Sequence, residues 1–308
     1  MNIKNYSFTR YLSAKKSVDD RALNRGVWSA FADNLPSFSR SQPLEVLEIG
    51  AGIGTMIERM VDWDLLKFAN YTAIDAQTEV FDCARQRLPA WANTRGLQMK
   101  GTQPGLLLYG DEIQIDIQLE AIDLHDFLAQ HQGRQTWNVL VAHAFLDLVD
   151  IPSVLPKLLE LCKVDGIFYF SLNYDGLTVL EPTIDMEFDS LVLDLYNQTM
   201  DNRLIAGQKS GDSRTGRHLF SQLANTGATV VAAGSSDWVV HPGQDGYPQD
   251  EKYFLHYIIN TIYRALRFHP DLEIDRFEKW IKGRHSQIEG QELVYIAHQI
   301  DFLGKFKA

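Results

Sequence analysis

Val46-Leu47-Glu48-Ile49-Gly50-Ala51-Gly52-Ile53-Gly54-Thr55 decides how this chain is read: an apolar strand runs into three glycines at alternate positions, and a helical pattern follows. Glycine turns sharply with no side chain in the way, so such a bend lets a ligand lie against the backbone. The spacing is G-x-G-x-G with Thr55 next. The dinucleotide fingerprint G-x-G-x-x-G needs a glycine at position 55, so that the helix start can cradle a pyrophosphate. The register is therefore wrong for a dinucleotide, and a tight strand-to-helix loop is the plain alternative.

The next elements supply context. Asn70-Tyr71-Thr72-Ala73-Ile74-Asp75 reads as a strand ending in a carboxylate, the position from which nucleoside-binding α/β domains hold ribose hydroxyls. An N-cap for the helix Gln77–Leu88 is the competing role for Asp75. Ile113–Leu119 alternates as a strand and leads to Asp123, which also suits a helix cap. Trp137–His143 is a buried-type strand with His143 at its carboxyl end, where open α/β sheets hold ligands. Gly166–Leu172 ends in the polar tip Asn173-Tyr174-Asp175-Gly176. The tips converge on one site.

Helices and strands alternate from about residue 17 to 240, which argues for a doubly wound α/β sheet. Ser17 with Asp20 matches a capping box for a first helix, whose stripe is Leu23, Val27, Phe31 and Leu35. Two insertions interrupt the alternation, at about 177–217 and 243–290. Helices are expected at His218–Asn225, Tyr253–Phe268 and Ile274–Lys282, with strands at Ala228–Ala233 and Gln291–Ile300.

Glu48-x-Gly50-x-Gly52-x-Gly54 closing a first strand resembles motif I of the class I S-adenosylmethionine-dependent methyltransferases, whose cofactor carries no phosphate. With NYDG (Asn173–Gly176), MDNR (Met200–Arg203), RTGR (Arg214–Arg217), SSDW (Ser235–Trp238) and the segment Tyr11–Trp28, the chain is similar to a poorly characterised bacterial subgroup over nearly its whole length. The resemblance implies a Rossmann-like, mostly parallel seven-stranded sheet, its last two strands antiparallel at one edge, with helical insertions after the fifth and sixth. Residues 1–40 would cover the cofactor and 41–308 would form the core.

The resemblance also implies site roles. Glu48, Gly50, Ala51 and Gly52 would form the cofactor loop, Asp75 with Ala76 the ribose site, and Asp123 with Leu124 the adenine site. Tyr11, Arg21 or Arg25 would hold the cofactor carboxylate, a guanidinium being suited to that grip. The segment after His143 would lie beside the methionine part and the reacting methyl. Asn173, Tyr174 and Trp238 would line the acceptor pocket. A hydroxyl or acidic-carbon acceptor needs a base, for which His143, Asp175, His218 and Asp237 are candidates. An amine needs none beyond water. The rival classes are a nicotinamide- or flavin-linked oxidoreductase, which lacks the glycine register and any Tyr-x-x-x-Lys, and a non-catalytic cofactor-binding protein.

Composition bounds the partners. The 308 residues are 45% apolar and 22% charged, ordinary for a soluble globular protein. A net charge of −11 disfavours nucleic acid, whose binders carry a basic face, and leaves a small-molecule acceptor as the expectation. No run approaches the roughly 20 apolar residues of a membrane span. The stretch Met1–Tyr6 lacks the apolar core of a secretion signal. Cys83 and Cys162, both expected in helices, suggest a reducing, cytoplasmic setting. Zinc-ligand spacings are absent, so no metal is expected.

Overall fold

The apolar runs assemble into one mixed sheet with helices on both faces. The computed structural model describes residues 6–103, 105–134, 136–205 and 207–306. The stretch Met1–Asn5, read above for a secretion signal, lies outside them.

Helices α1 (Phe8–Ala22) and α2 (Arg25–Asn34) precede β1 (Leu44–Ile49), α3 (Thr55–Asp62), β2 (Phe68–Asp75) and α4 (Thr78–Thr94). Then come β3 (Gln98–Gly101), β4 (Leu106–Tyr109), β5 (Gln114–Ala121), α5 (Leu124–His131) and β6 (Trp137–His143). A single-turn helix, Leu146–Leu148, leads to α6 (Ile151–Leu159) and β7 (Cys162–Glu181). The last third holds α7 (Met186–Asp201), the small hairpin β8 (Leu204–Ile205) and β9 (Gln208–Lys209), α8 (Thr215–Asn225) and β10 (Thr229–Ser235). It closes with β11 (Trp238–Val240), α9 (Glu251–Leu266), α10 (Ile274–Glu289) and β12 (Val294–Lys305).

The main sheet runs β10-β12-β7-β6-β1-β2-β5-β4-β3, with β11 also paired to β12. Strands β1, β2, β5, β6 and β7 pair in parallel, while β12 lies antiparallel between β7 and β10. Among the described residues the sheet has ten strands where seven were expected. The additional ones are the edge pair β3–β4 and the short β11, too brief to announce themselves by periodicity. Strand order reverses on either side of β1, which makes its carboxyl end the switch point where open α/β sheets hold ligands. Ile49 lies level with Ile74 of β2 and Ala142 of β6, so three strand tips end together.

One apolar layer packs α1–α4, α7, α9 and α10 against the sheet, through residues such as Val27, Met56, Phe254 and Phe277. The other holds α5, α6 and α8 through Phe127, Leu158 and Leu223. Among the described residues, no helix is long and apolar enough to cross a membrane.

Several local expectations are corrected. Ser17 does not start a helix: α1 begins at Phe8, capped by the Ser7 side chain, and Ser17 lies inside it. The break comes at Leu23, after which the Asn24 side chain accepts from Val27 N and starts α2. Helix α4 runs through Pro89 to Thr94, past the expected stop at Leu88. Cys162 opens β7 and is not helical. That strand continues to Glu181, so the first insertion leaves the sheet later than position 177.

Strand β7 also breaks its own alternation. Tyr169 packs in the layer under α1, and Phe168 and Phe170 in the opposite one. At Leu172 φ is +56°, and both Leu172 and Tyr174 belong to the α1 layer. The backbone N–H of Leu172 donates to Asp301 Oδ1 at 2.7 Å, and Asn24 N donates to the other oxygen at 2.9 Å. Burial pushes the Asp301 carboxyl up to about 6.

Candidate active site

The bend after β1 is built as its spacing requires. Gly50, Gly52 and Gly54 have φ of +66°, +53° and +79°, which L side chains rarely adopt. Gly54 stands at the start of α3 with no side-chain cap. Asp75, at the tip of β2, reaches across: its Oδ2 accepts from Gly52 N at 3.0 Å and its Oδ1 from Gln77 N at 2.9 Å. Burial raises its pKa against these two backbone bonds. A carboxylate has about four acceptor sites, so two amides leave room for sugar hydroxyls.

The bend is also packed by the protein itself. A Cβ on Gly50 would stand 2.2 Å from a ring carbon of Phe145, and one on Gly52 would stand 3.3 Å from a methyl of Leu12 on α1. In this structure the bare glycine surface receives Phe145 and Leu12.

Over the bend, α1 and α3 bring together a buried charged cluster that the sequence reading missed. Asp19 is 2% exposed and sits at its centre. Its Oδ2 accepts from Lys15 Nζ at 2.6 Å and lies 3.0 Å from His143 Nε2, while Trp238 Nε1 donates to its Oδ1 at 2.9 Å. Arg59, 1% exposed, reaches Asp19 at 3.4 Å, Thr55 Oγ1 at 3.2 Å, and Asp20. Burial opposes ionisation of Asp19, but Lys15, His143 and Arg59 together hold its carboxyl far below the usual range. Burial lowers the Lys15 pKa against the pull of Asp19. The one sequence cue was a Lys15–Asp19 pair at i, i+4 beside the apolar residues Ala14 and Val18.

His143 is buried between this cluster and β7. Burial, then Arg59, lowers its pKa to about 4, so the ring is neutral near pH 7. Its Nε2 faces the Asp19 carboxylate at 3.0 Å and Arg59 Nη1 at 3.3 Å, and its Nδ1 lies 2.8 Å from Ser171 Oγ. Both ring nitrogens are used within the protein.

The other expected residues divide between the two faces. Glu48 is buried on β1, where Tyr71 OH donates to it at 2.7 Å, and burial pushes its pKa up to about 8. Tyr11 stacks on Tyr257 of α9. Arg21 forms two bonds to the buried Glu251 of α9, one of them 2.8 Å, and Arg25 lies 4.2 Å from the Trp63 ring centre. Asp123 caps α5 by accepting from His125 N at 2.8 Å, and Leu124 is the first residue of that helix. Ala51 is buried and donates to Ile74 O, whereas Ala76 is exposed. Asn173 donates to the backbone of Phe170 and Ile300. Tyr174 bonds Thr178 and Asn197.

Asp175, His218 and Asp237 are not with His143. Asp175 is gripped by Arg217 of α8 at 2.8 Å, Asp237 pairs with His298 at 2.7 Å, and His218 pairs with Asp212. His298 lies 3.8 Å from Asp175 and so links the Asp237 pair to Arg217 of α8, which packs in the layer opposite α1.

No family model matches the chain, and no curated protein matches it. Solved structures do resemble it. A proposed methyltransferase of Bacillus halodurans aligns at a TM-score of 0.48 and 10% identity, over 91% of this chain and 98% of that one. The cyclopropane synthase MmaA2 of Mycobacterium tuberculosis aligns at 0.45 and 11%, over 98% and 100%. Haemonchus contortus phosphoethanolamine N-methyltransferase 2, in complex with phosphomonomethylethanolamine and S-adenosylhomocysteine, aligns at 0.45 and 11%, over 97% of this chain and 57% of that one.

Proposed function

We propose that this protein is an enzyme that transfers the methyl group of S-adenosylmethionine to a small-molecule acceptor, in the crevice between the β1 bend and α1. The observation that carries the reading is Asp75 at the tip of β2, bonded to Gly52 N beside a left-handed glycine bend at the sheet's switch point. Asp75 would hold the ribose and the Gly50–Gly54 backbone would lie along the nucleoside. Asp123 would approach the adenine with the acceptor sites its cap leaves open. Leu12 and Phe145 must yield for a ligand to lie against the two glycines they cover.

When bound, the sulfonium supplies an electrophilic methyl group. The chain then has to align and enclose. Holding reactants in near-attack geometry supplies on the order of 7–11 kcal/mol in favourable cases. Residues 1–40 would serve as cover, and α7, α9 and α10, within the segments 177–217 and 243–290, would shape the acceptor pocket and exclude water. His143, with both nitrogens engaged, would position Asp19 and β7 and would not take a proton from the acceptor.

A thermal-shift comparison tests the reading. S-adenosylhomocysteine should stabilise the protein and NAD(H) should not, by ligand linkage. Stabilisation by NAD(H) alone would overturn it in favour of hydride transfer. Binding without transfer of labelled methyl to any metabolite in a cell extract would mark a non-catalytic protein.

A further inference from the structure

Where α1, α7, α9, β7 and β12 meet, five tyrosines share one enclosure. Tyr11 stacks on Tyr257 with ring centres 4.0 Å apart, and on Phe254 at 5.7 Å. Phe254 in turn meets Tyr295 at 6.0 Å and Trp238 at 5.4 Å. Tyr196, from α7, lies within electrostatic reach of Tyr11, Tyr174, Tyr257 and Tyr295. Tyr11 and Tyr196 lie deep among these elements yet keep accessible surface. Close-packed cores leave few voids larger than a water, so phenols that lie deep and stay accessible line a space rather than fill one.

Asp147, in the single-turn helix after β6, shares both properties. Its Oδ1 is buried with no hydrogen-bond partner among the described residues. Its charge acts on both Tyr174 and Tyr196. The charged groups that act on it are Arg203, Lys15 and Asp212. Arg203 donates instead to the backbone oxygens of Asp147 and Ser210, and Lys15 donates to Asp19. A buried carboxylate oxygen without a donor is costly, and it invites a cation. Aromatic walls attract organic cations for a separate reason, the negative potential of their ring faces.

We propose that this space takes a small amine acceptor in its protonated, ammonium form, with Asp147 as its counter-ion and Tyr11, Tyr174 and Tyr196 as walls. The nitrogen gives up a proton to the Asp147 carboxylate or to water before it attacks the methyl. The protein is then an amine-binding enzyme. The inference deepens the methyl-transfer reading and rests on it for its chemical meaning, though the binding itself does not.

The test is calorimetry with choline and with 3,3-dimethylbutan-1-ol, which has nearly the same shape without the charge. Each is titrated into the full chain with and without S-adenosylhomocysteine. Choline should bind at least tenfold tighter than the alcohol in one or both conditions. Asp147→Asn should reduce that preference to less than twofold. Tyr196→Leu, which removes one wall and leaves Asp147, should weaken choline by at least fivefold. Equal affinity for the two probes, no choline binding, or an unchanged preference in Asp147→Asn overturns the proposal. If S-adenosylhomocysteine binds and choline does not, the amine inference falls and the methyl-transfer reading stands. If choline binds and S-adenosylhomocysteine does not, the amine site stands and the methyl-transfer reading falls.

Discussion

Two histidine–aspartate contacts of similar length lie on opposite faces of the same sheet. His143 and Asp19 are 3.0 Å apart, with side chains 7% and 3% exposed. His298 and Asp237 are 2.7 Å apart, with side chains 30% and 37% exposed. Residue type alone would rank them together. What separates them is the surroundings. Asp19 is sealed with Lys15, Arg59 and Trp238, so each group there depends on its partners to be tolerated away from water. The pair near α8 sits beside Arg217, whose side chain is 54% exposed, and water can replace any partner it loses. Burial, and not the presence of a histidine, sets the two contacts apart.

The sharpest test of this contrast is stability. Asp19→Ala strands the Lys15 and Arg59 charges and should cost about 3–5 kcal/mol in denaturant unfolding. Asp237→Ala should cost about 1 kcal/mol or less. Equal costs would erase the distinction. Next comes ligand binding. Asp75→Ala should weaken S-adenosylhomocysteine by roughly 1.5–3 kcal/mol in calorimetry, the worth of a charge-assisted hydrogen bond. Asp175→Ala on the other face should leave it unaltered.

A stabilising variant sharpens the comparison further. The Asp147 carboxyl is raised by burial to about 6, above its unfolded value, so the folded state takes up a proton between roughly 4 and 6. Its stability contribution is fully present below the unfolded value and is lost as pH rises through 6. Asp147→Asn should therefore gain about 1–3 kcal/mol at pH 7.5, read by chemical unfolding. A loss there would mean that the carboxylate already has its partner.

The smallest effect is a slope. The folded pKa of His143 is depressed to about 4 by burial, so its contribution is complete above its unfolded value near 6.5 and lost as pH falls towards 4. His143→Gln should flatten the stability curve in that window by at most about 1.4 kcal/mol per pH unit. The corresponding His298 variant tests whether the effect belongs to the buried face.

What the sequence made legible was local. The glycine bend, the carboxylate one strand over and the alternation of strands with helices each follow from neighbours in the chain. Asp75 does touch Gly52, as paired strand tips require. The antiparallel strand at the far side of the sheet was also expected, from the family resemblance. What stayed hidden depends on distant partners. Nothing near Arg59 in the chain marks it, because its partners Asp20 and Asp19 lie 39 and 40 positions away on α1. Ser17 reads as a cap by pattern, but Glu251, 234 positions away, accepts its hydroxyl inside a continuous helix. Asp175 and Asp237 were grouped with His143 because the strand tips were expected to converge on one site.

For Asp175 that expectation fails at one residue. The left-handed turn at Leu172, pinned by Asp301, shifts the phase of everything downstream, which sends Tyr174 under α7 and Asp175 towards α8. Strand length is thus part of the proposed pocket's specification. Deleting or adding a single residue between Ser171 and Tyr174 would swap a phenol for a carboxylate in the lining without changing any side chain's identity.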